Sequence, residues 1–243
     1  MKNLFFLLLI LPLTSCGTSE LNWLILSPNN FEGLTNLKFL LGGLTTTIYI
    51  SIVSIVISMI IGFIVAVPSL AKSKFLTYLN IGYVEIVRAV PLLVLILWIY
   101  YGLPIMTGIS FSPFVSGIIA LSISESAFQA EIFRAGINSI KKAQWEAGSS
   151  LGLNFLRKLR LVILPQAIKN ILPAIGNQFV YVLKMSSLVS IIGIGDLTRK
   201  ANELVVTTYR PLEIYTFLIF EYLILILIVS FLVRKLEKNL EKD

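Results

Sequence analysis

Long apolar segments separated by short polar stretches make up most of the chain. Residues 39–71 and 89–124 contain no charged residue, and each run is longer than the ~20 residues that a helix needs to cross a bilayer. Because lipid cannot hydrogen-bond to a backbone, apolar segments of this length are expected to be helical. The pattern predicts about five membrane-spanning helices, at residues 39–67, 76–103, 113–133, 172–194 and 212–233. The predicted fold class is therefore an all-α integral membrane protein.

Composition excludes a soluble globular protein and several kinds of chemistry. Hydrophobic residues make up 56% and charged residues 14% of the 243 residues, against about half and about a quarter in soluble domains. The sequence has no histidine, which removes the usual zinc ligand, and we expect no metal site. Cys16 is the only cysteine, which excludes a disulfide scaffold. The only aspartates, Asp196 and Asp243, do not suit a paired-aspartate intramembrane protease.

The distribution of basic residues predicts the orientation in the membrane. Most of the 20 Lys and Arg residues follow the first span, lie in residues 134–169, or lie in the C-terminal tail. The positive-inside rule places these segments in the cytoplasm, so the first span begins outside and the C-terminus is cytoplasmic. Since topology accounts for most of the net charge of +7, we expect no nucleic-acid partner.

The N-terminus has the pattern of a secretory signal. Lys2, an apolar run and several small residues predict a signal peptide at residues 1–15. The sequence Leu13-Thr14-Ser15-Cys16 resembles a bacterial lipobox, which predicts that Cys16 becomes a lipidated N-terminus and that residues 16–37 are extracytoplasmic. An uncleaved anchor, or an extension with a chance cysteine, is an equally good interpretation.

The polar stretch at residues 134–169 has helical order. Ala143, Ala147 and Leu151 recur every four residues, which places a stripe of mostly small apolar side chains on one face of a short helix. Gly152 follows where a left-handed C-terminal cap favours glycine.

A second short helix is predicted after this turn. Asn154 suits its N-cap, and Pro165 is expected to disrupt its continuation. Two amphipathic helices bent at a glycine are typical of a docking element for a soluble partner, and equally of a helix pair lying on anionic lipid.

Several motifs resemble those of a known family. Glu146-Ala147-Gly148, then Gly152 and Ile163-Leu164-Pro165, resembles the cytoplasmic signature loop of ABC importer permeases, with Gly148 in place of an alanine. Other segments are similar to permeases for polar amino acids of the histidine/glutamine type: Arg88-Ala89-Val90-Pro91-Leu92-Leu93, Tyr101-Gly102-Leu103-Pro104, Ala130-Glu131-Ile132-Phe133-Arg134-Ala135-Gly136-Ile137, Leu164-Pro165-Gln166-Ala167 and Ser186-Ser187-Leu188-Val189. Two features depart from the family pattern, namely the lipobox and Met185, where an acidic residue or asparagine is common.

The resemblance covers about residues 38–236 and implies the fold of a type I ABC importer permease, with a coupling loop at about 134–169 and a cytoplasmic tail at 237–243. It implies a transport subunit of the bacterial inner membrane that is not an enzyme and has no catalytic residues. The sequence has no Gly-x-x-x-x-Gly-Lys-[Ser/Thr] motif, so we expect no cofactor on this chain and expect ATP and magnesium on a partner. The implied coupling residues are Ala143, Glu146, Ala147, Gly148, Leu151 and Gly152.

The implied partners are a second permease subunit, a dimer of cytoplasmic ABC ATPases, an extracytoplasmic amino-acid-binding protein and membrane lipid. The sequence determines neither the transported amino acid nor whether the second permease is the same chain or a related one. The alternative function is a secondary transporter driven by an ion gradient, although such folds usually show paired repeats and none is evident. A lipoprotein-like scaffold would account for Cys16 but not for the signature loop.

Ionisable residues inside the predicted spans are candidates for the transport path, because a charge in lipid is costly. The candidate path residues are Glu85, Arg88, Glu125, Lys184, Ser186 and Ser187. Pairing of Glu85 with Arg88 is favoured over ligand contact. For Lys184 we favour contact with a substrate carboxylate over an ion pair with Glu125. Gly42, Gly62 and Gly117 are expected to allow close packing of helices.

Overall fold

The computed structural model describes residues 22–70 and 74–240, and the regular structure of these residues is helical. The predicted signal peptide at 1–15, Cys16 and the last residues of the tail, 241–243, lie outside the described residues. A short 3-10 helix, Trp23–Leu26, precedes the helices α1 (Phe31–Leu41), α2 (Gly43–Ser69), α3 (Lys74–Ala89), α4 (Leu92–Leu97), α5 (Leu103–Thr107), α6 (Pro113–Asn138), α7 (Lys142–Ser150), α8 (Phe155–Lys158), α9 (Leu164–Met185), α10 (Leu197–Thr208) and α11 (Pro211–Leu240).

Several of these helices are suited to crossing a membrane. In the described part of the chain, the stretches Phe31–Ser69, Phe155–Ile192 and Pro211–Lys238 are long and apolar enough, and the bent pair of Lys74–Ala89 with Leu92–Thr107 provides a fourth span if it counts as one. The 26-residue α6 has the length but carries many buried polar residues at the centre of the bundle. This arrangement agrees with the predicted all-α fold of about five spans.

The predicted second span, 76–103, is wrong as a continuous helix. The chain bends by 90° between α3 and the stretch that begins at Leu92. Pro91 has extended backbone angles, φ −61° and ψ 131°. Its ring removes a backbone N–H and disfavours helical angles at Val90, which accounts for the break.

The prediction that Pro165 disrupts the second amphipathic helix is also wrong. A π turn, Leu159–Ile163, joins α8 directly to α9, so one helical stretch runs from Phe155 to Ile192. The π turn shifts the backbone register and leaves Pro165 in the first turn of α9, where a missing N–H costs little. The helical stretch that contains the predicted fourth span therefore begins at Phe155, well before residue 172. Another π turn, Trp98–Gly102, likewise leaves Pro104 in the first turn of the next helix, α5.

The most extensive helix contact in the described residues joins α2 to α6, and small residues line it. Buried small residues recur every four positions on α2 at Ser54, Ser58, Gly62 and Ala66, and on α6 at Ser122, Ser126 and Ala130. The Ser58 hydroxyl donates to the Ile55 carbonyl at 2.8 Å, within its own helix, and the Ser122 hydroxyl donates across the contact to the Ser54 carbonyl at 3.4 Å.

The glycines confirm this close packing at two of three predicted positions. A Cβ at Gly62 would lie 2.6 Å from the Gln129 Cβ on α6. One at Gly117 would lie 3.2 Å from the Ile50 Cδ1 on α2 and 2.8 Å from the Ile194 Cδ1 in the loop before α10. At Gly42 the nearest atoms belong to the preceding turn of the chain, at Phe39 and Lys38.

The contact at Gly62 gives a test of the packing. We expect Gly62→Ala to lower the free energy of unfolding by about 1–3 kcal/mol, because the added methyl group overpacks the contact with α6. Gly82→Ala is the matched control, since a Cβ there meets nothing within 4 Å and alanine favours the helix by ~1 kcal/mol. Thermal unfolding of the detergent-purified protein measures both changes. Equal stability of the two variants would contradict the assigned contact.

Candidate functional site

A polar stripe runs along the membrane-spanning helix α9. Asn170, Asn177 and Lys184 recur every seven residues, Tyr181 lies one turn before Lys184, and all are exposed in the isolated chain. Residues with this spacing share one face of a helix. Since polar side chains in membrane spans avoid lipid, this stripe faces water or protein.

The two serines predicted beside Lys184 bond to their own helix. The Ser186 hydroxyl donates to the Leu183 carbonyl and the Ser187 hydroxyl donates to the Lys184 carbonyl, each at 2.8 Å. Ser186 is fully buried, whereas Ser187 is partly exposed. Of these two predicted path residues, only Ser187 lies at the surface that carries Lys184.

Glu125 lies behind the stripe and does not pair with Lys184. It is 1% exposed on α6, and its carboxylate accepts a hydrogen bond of 2.5 Å from the Gln178 side-chain amide on α9. In the described residues Glu125 is therefore paired with a neutral amide, and the alternative ion pair between Lys184 and Glu125 does not form. Lys184 lies at the exposed face, and its ammonium group has no partner among residues 22–70 and 74–240.

Arg88 joins α3 to the same surface. Its guanidinium lies 4.6 Å from the centroid of the Phe128 ring on α6, and that ring lies 6.3 Å from the Tyr181 ring on α9. We call the surface formed by Arg88, Phe128, Tyr181 and Lys184 the polar face. It brings together Arg88 and Lys184, two residues predicted from the sequence.

The favoured pairing of Glu85 with Arg88 is wrong. Within the described chain these side chains form no ion pair, because Arg88 turns toward α6 and stacks on Phe128. Both residues instead line a 270 Å³ pocket with Glu131 and Arg134. In that pocket the Arg134 guanidinium binds the Glu131 carboxylate through two hydrogen bonds, of 2.9 and 2.7 Å.

The predicted turn between the two amphipathic helices is confirmed. Gly152 has φ +71°, in the left-handed region. The Leu153 N–H donates to the Gly148 carbonyl at 3.1 Å and the Gly152 N–H donates to the Ser149 carbonyl at 2.9 Å, the two bonds of a Schellman cap. The Asn154 side chain caps the next helix by accepting from the Arg157 N–H at 2.9 Å.

Helix α7 has one face free and one face packed. Ala143, Glu146, Ala147 and Leu151 are exposed, whereas Gly148 is buried. A Cβ at Gly148 would lie 2.6 Å from the Lys158 Cγ, which gives a physical reason for glycine where the signature has alanine. Of the predicted coupling residues, Gly148 therefore supports α7 from behind instead of lying on its free face.

Several residues of the site are not apparent from the sequence. Phe128, Asn177, Gln178 and Tyr181 link or extend the predicted residues, but aromatic and amide side chains in an apolar helix carry no distinctive signal. Periodicity on α9 was the one usable signal, because the seven-residue repeat ending at Lys184 is visible in the sequence.

Asp196 is a further buried acid, and it lies outside the polar face. It follows the span that ends at Ile192 and is fully buried. Its carboxylate caps α10 by accepting from the Arg199 N–H at 2.9 Å, and the Tyr222 hydroxyl donates to it at 3.5 Å. Burial raises the pKa of Asp196 to about 6, against the opposing effect of these hydrogen bonds.

Comparison with known proteins decides the family. A sequence model of the family described as binding-protein-dependent transport system inner membrane component matches residues 58–242. The chain belongs to this family. The permease is therefore a multi-pass protein of the bacterial inner membrane and a transport subunit, whose family works with a separate ATPase, a substrate-binding protein and a second permease.

Named relatives of this permease are similar over most of their length. The probable glutamine ABC transporter permease protein GlnM of Bacillus subtilis is 37% identical over 208 residues, which cover 86% of this chain and 96% of that protein. The arginine transport system permease protein ArtQ of Bacillus subtilis is 33% identical over 210 residues, with the same coverage. The glutamine transport system permease protein GlnP of Escherichia coli is 32% identical over 206 residues, which cover 84% and 94%.

Solved structures confirm the type I permease fold. A crystal structure described as an amino acid ABC transporter with histidines matches with a TM-score of 0.80 and 36% identity, over 90% of the permease and 99% of that chain. The inward-facing MetNI methionine ABC transporter matches with a TM-score of 0.73 over 84% and 97% of the two chains, and at 20% identity it supports the fold alone.

Asp196 allows a test by pH. Because its pKa is raised, the folded protein favours the protonated carboxyl, so the contribution of Asp196 to stability is greatest below about pH 4 and is lost as the pH rises through about 6. Asp196→Asn keeps an oxygen acceptor for the Arg199 N–H and cannot ionise. We expect it to remove this fall and to be more stable than the unsubstituted protein at neutral pH by about 2–3 kcal/mol.

Thermal unfolding at a series of pH values measures the effect. Asp196→Ala is the control, because it also removes the charge but loses the cap, at a cost of ~1 kcal/mol relative to the asparagine variant. The same pH profile in the unsubstituted and asparagine proteins would show that Asp196 does not titrate as described.

Proposed function

We propose that this permease is the transmembrane subunit of an ATP-driven importer for polar amino acids and that its polar face lines the translocation path. The observation that carries the proposal is the joining of Arg88, Phe128, Tyr181 and Lys184 into one surface across three helices. The relatives are named as permeases of arginine or glutamine transport systems, which supports this substrate class.

The polar face has chemistry suited to a zwitterion. The Lys184 ammonium is exposed and near the end of α9, where it can bind a substrate carboxylate by a charge-assisted hydrogen bond. The Glu125 carboxylate holds Gln178 from behind, which fixes the amide next to Asn177 on the same helix. Amide, hydroxyl and ammonium groups along α9 provide polar contacts for a solute that lipid would exclude.

The proposed coupling site is the free face of α7. Its exposed residues Ala143, Glu146, Ala147 and Leu151 have no covering element in the described chain. We place this face in the cytoplasm against a dimer of ABC ATPases, which holds the ATP and magnesium. The C-terminus then lies on the same side, and an amino-acid-binding protein docks at the opposite, extracytoplasmic end.

The second permease in the complex is either a copy of this chain or a related one. The alternative function, a secondary transporter driven by an ion gradient, has no support from the family or from the relatives.

Lys184 tests the path. We expect Lys184→Met to lower amino-acid uptake at limiting substrate by about 10- to 100-fold, the loss for one charge-assisted hydrogen bond. Uptake into proteoliposomes that contain the ATPase and the binding protein is the measurement. Lys169→Met, at an exposed lysine of the same helix near its start, is the matched control and should transport normally. Equal uptake by both variants, with the ATPase bound, would remove Lys184 from the path.

Gly152 tests the coupling loop. Gly152→Val places a β-branched residue at φ +71°, which costs ~1–2 kcal/mol and distorts the cap of α7. We expect normal membrane insertion but loss of coupling, so that the ATPase dissociates or hydrolyses ATP without transport. Glu146→Ala should have the same effect more weakly. ATPase stoichiometry and the ratio of ATP hydrolysed to solute imported are the measurements.

Gly108 provides a control with the same backbone geometry. It has φ +72° and lies at the end of α5, outside the coupling loop. Gly108→Val therefore carries a similar backbone penalty and should leave the ATPase coupled. If both valine variants behave alike, the loss comes from backbone strain in general and the coupling assignment is wrong.

A further inference from the structure

A groove of 780 Å³ separates α7 from the body of the bundle. Three of its lining residues mark where membrane-spanning helices end or begin: Leu70 follows α2, Asn138 ends α6, and Phe155 begins the stretch that continues into α9. The groove therefore lies on the side of the bundle where these helices end, the side that the basic residues of 134–169 predict to face the anionic cytoplasmic leaflet.

The groove has an apolar wall and two cations. The Trp145 and Phe155 rings stack with their centroids 6.1 Å apart and their planes at 18°. Lys142 and Lys158 also line the groove. An aromatic wall beside basic side chains is the composition that membrane proteins present at the level of the headgroups.

The two lysines are held differently. The Lys158 stem packs on Gly148, and its ammonium donates to the Ser149 hydroxyl at 2.6 Å, which leaves its remaining donors for a ligand. Lys142 is exposed. Glu146 is the one acid on the lining; it lies one turn from Lys142, and the described residues show no ion pair between the two. The lining therefore carries an excess of one positive charge within a strongly basic loop.

We propose that this groove binds the headgroup of an anionic phospholipid, with its phosphate at Lys142 and Lys158 and its acyl chains leaving past Leu70 and the Trp145–Phe155 pair. The site goes beyond solute transport, since the polar face that carries the solute does not include these residues. The proposed lipid site also assigns the two interpretations of the coupling loop, a docking element and a helix pair on anionic lipid, to different faces of α7. The groove side of α7 binds lipid, the face with Ala143, Ala147 and Leu151 stays free for a protein partner, and Glu146 lies at the edge between the two.

Native mass spectrometry of the purified permease–ATPase complex tests the proposal. The complex is titrated with dioleoyl phosphatidylglycerol and, separately, with dioleoyl phosphatidylcholine, which has the same chains and no net charge. We expect preferential binding of phosphatidylglycerol. Lys142→Gln and Lys158→Met, of which the second keeps most of the stem packed on Gly148, should each weaken that binding by about fivefold.

Lys141→Gln is the matched control, because Lys141 is the adjacent exposed lysine and does not line the groove. Its affinity for phosphatidylglycerol should be unchanged. Equal binding of the two lipids, or equal loss in all three variants, would overturn the proposal, as would unchanged binding in both groove variants. Loss of the ATPase from the groove variants without a change in lipid binding would assign the groove to the ATPase instead. Uptake by the unsubstituted complex is a separate readout, so failure here leaves the transport function standing.

Discussion

Close packing of small side chains between α2 and α6 forms the contact around which the other helices of the bundle are arranged. Small residues let the two backbones approach closely, as at Gly62 against Gln129, and hydroxyl groups such as that of Ser58 bond to carbonyls of their own helix. Close packing replaces the hydrophobic driving force, which is weak between helices that are surrounded by lipid. Helix α6 then lies centrally enough to contact α3 through Arg88 and α9 through Gln178.

The fold class and the local structure of the loop followed from the sequence because they depend on neighbouring residues. Apolar run lengths predict spans, and the order of Gly152 and Asn154 predicts a cap followed by a new helix. The failures occurred at prolines. Pro91 breaks a helix and Pro165 does not. A π turn precedes Pro165, and the local sequence does not predict it.

The charged residues of the site could be predicted from the sequence, but their arrangement in space could not. Charge in an apolar helix identified Arg88, Glu125 and Lys184, but the pairing of such residues depends on how helices rotate against each other. Glu85 and Arg88 have ideal helical spacing for an ion pair. The Arg88 guanidinium instead stacks on the Phe128 ring. Gln178 and Tyr181 gain their roles only because α6 and α9 are neighbours.

The unbroken helical stretch from Phe155 to Ile192 has a mechanical consequence. At 1.5 Å per residue, its first residue and Lys184 lie about 44 Å apart along one rod. The rod starts directly after the turn at Gly152, and its Phe155 ring stacks on Trp145 of α7. A small tilt imposed at that end becomes a displacement of several ångströms at the lysine, in proportion to the length of the lever. Two features can bend this stretch, the π turn Leu159–Ile163 and Pro173 inside α9, so their stiffness sets how much of a displacement at Phe155 reaches Lys184.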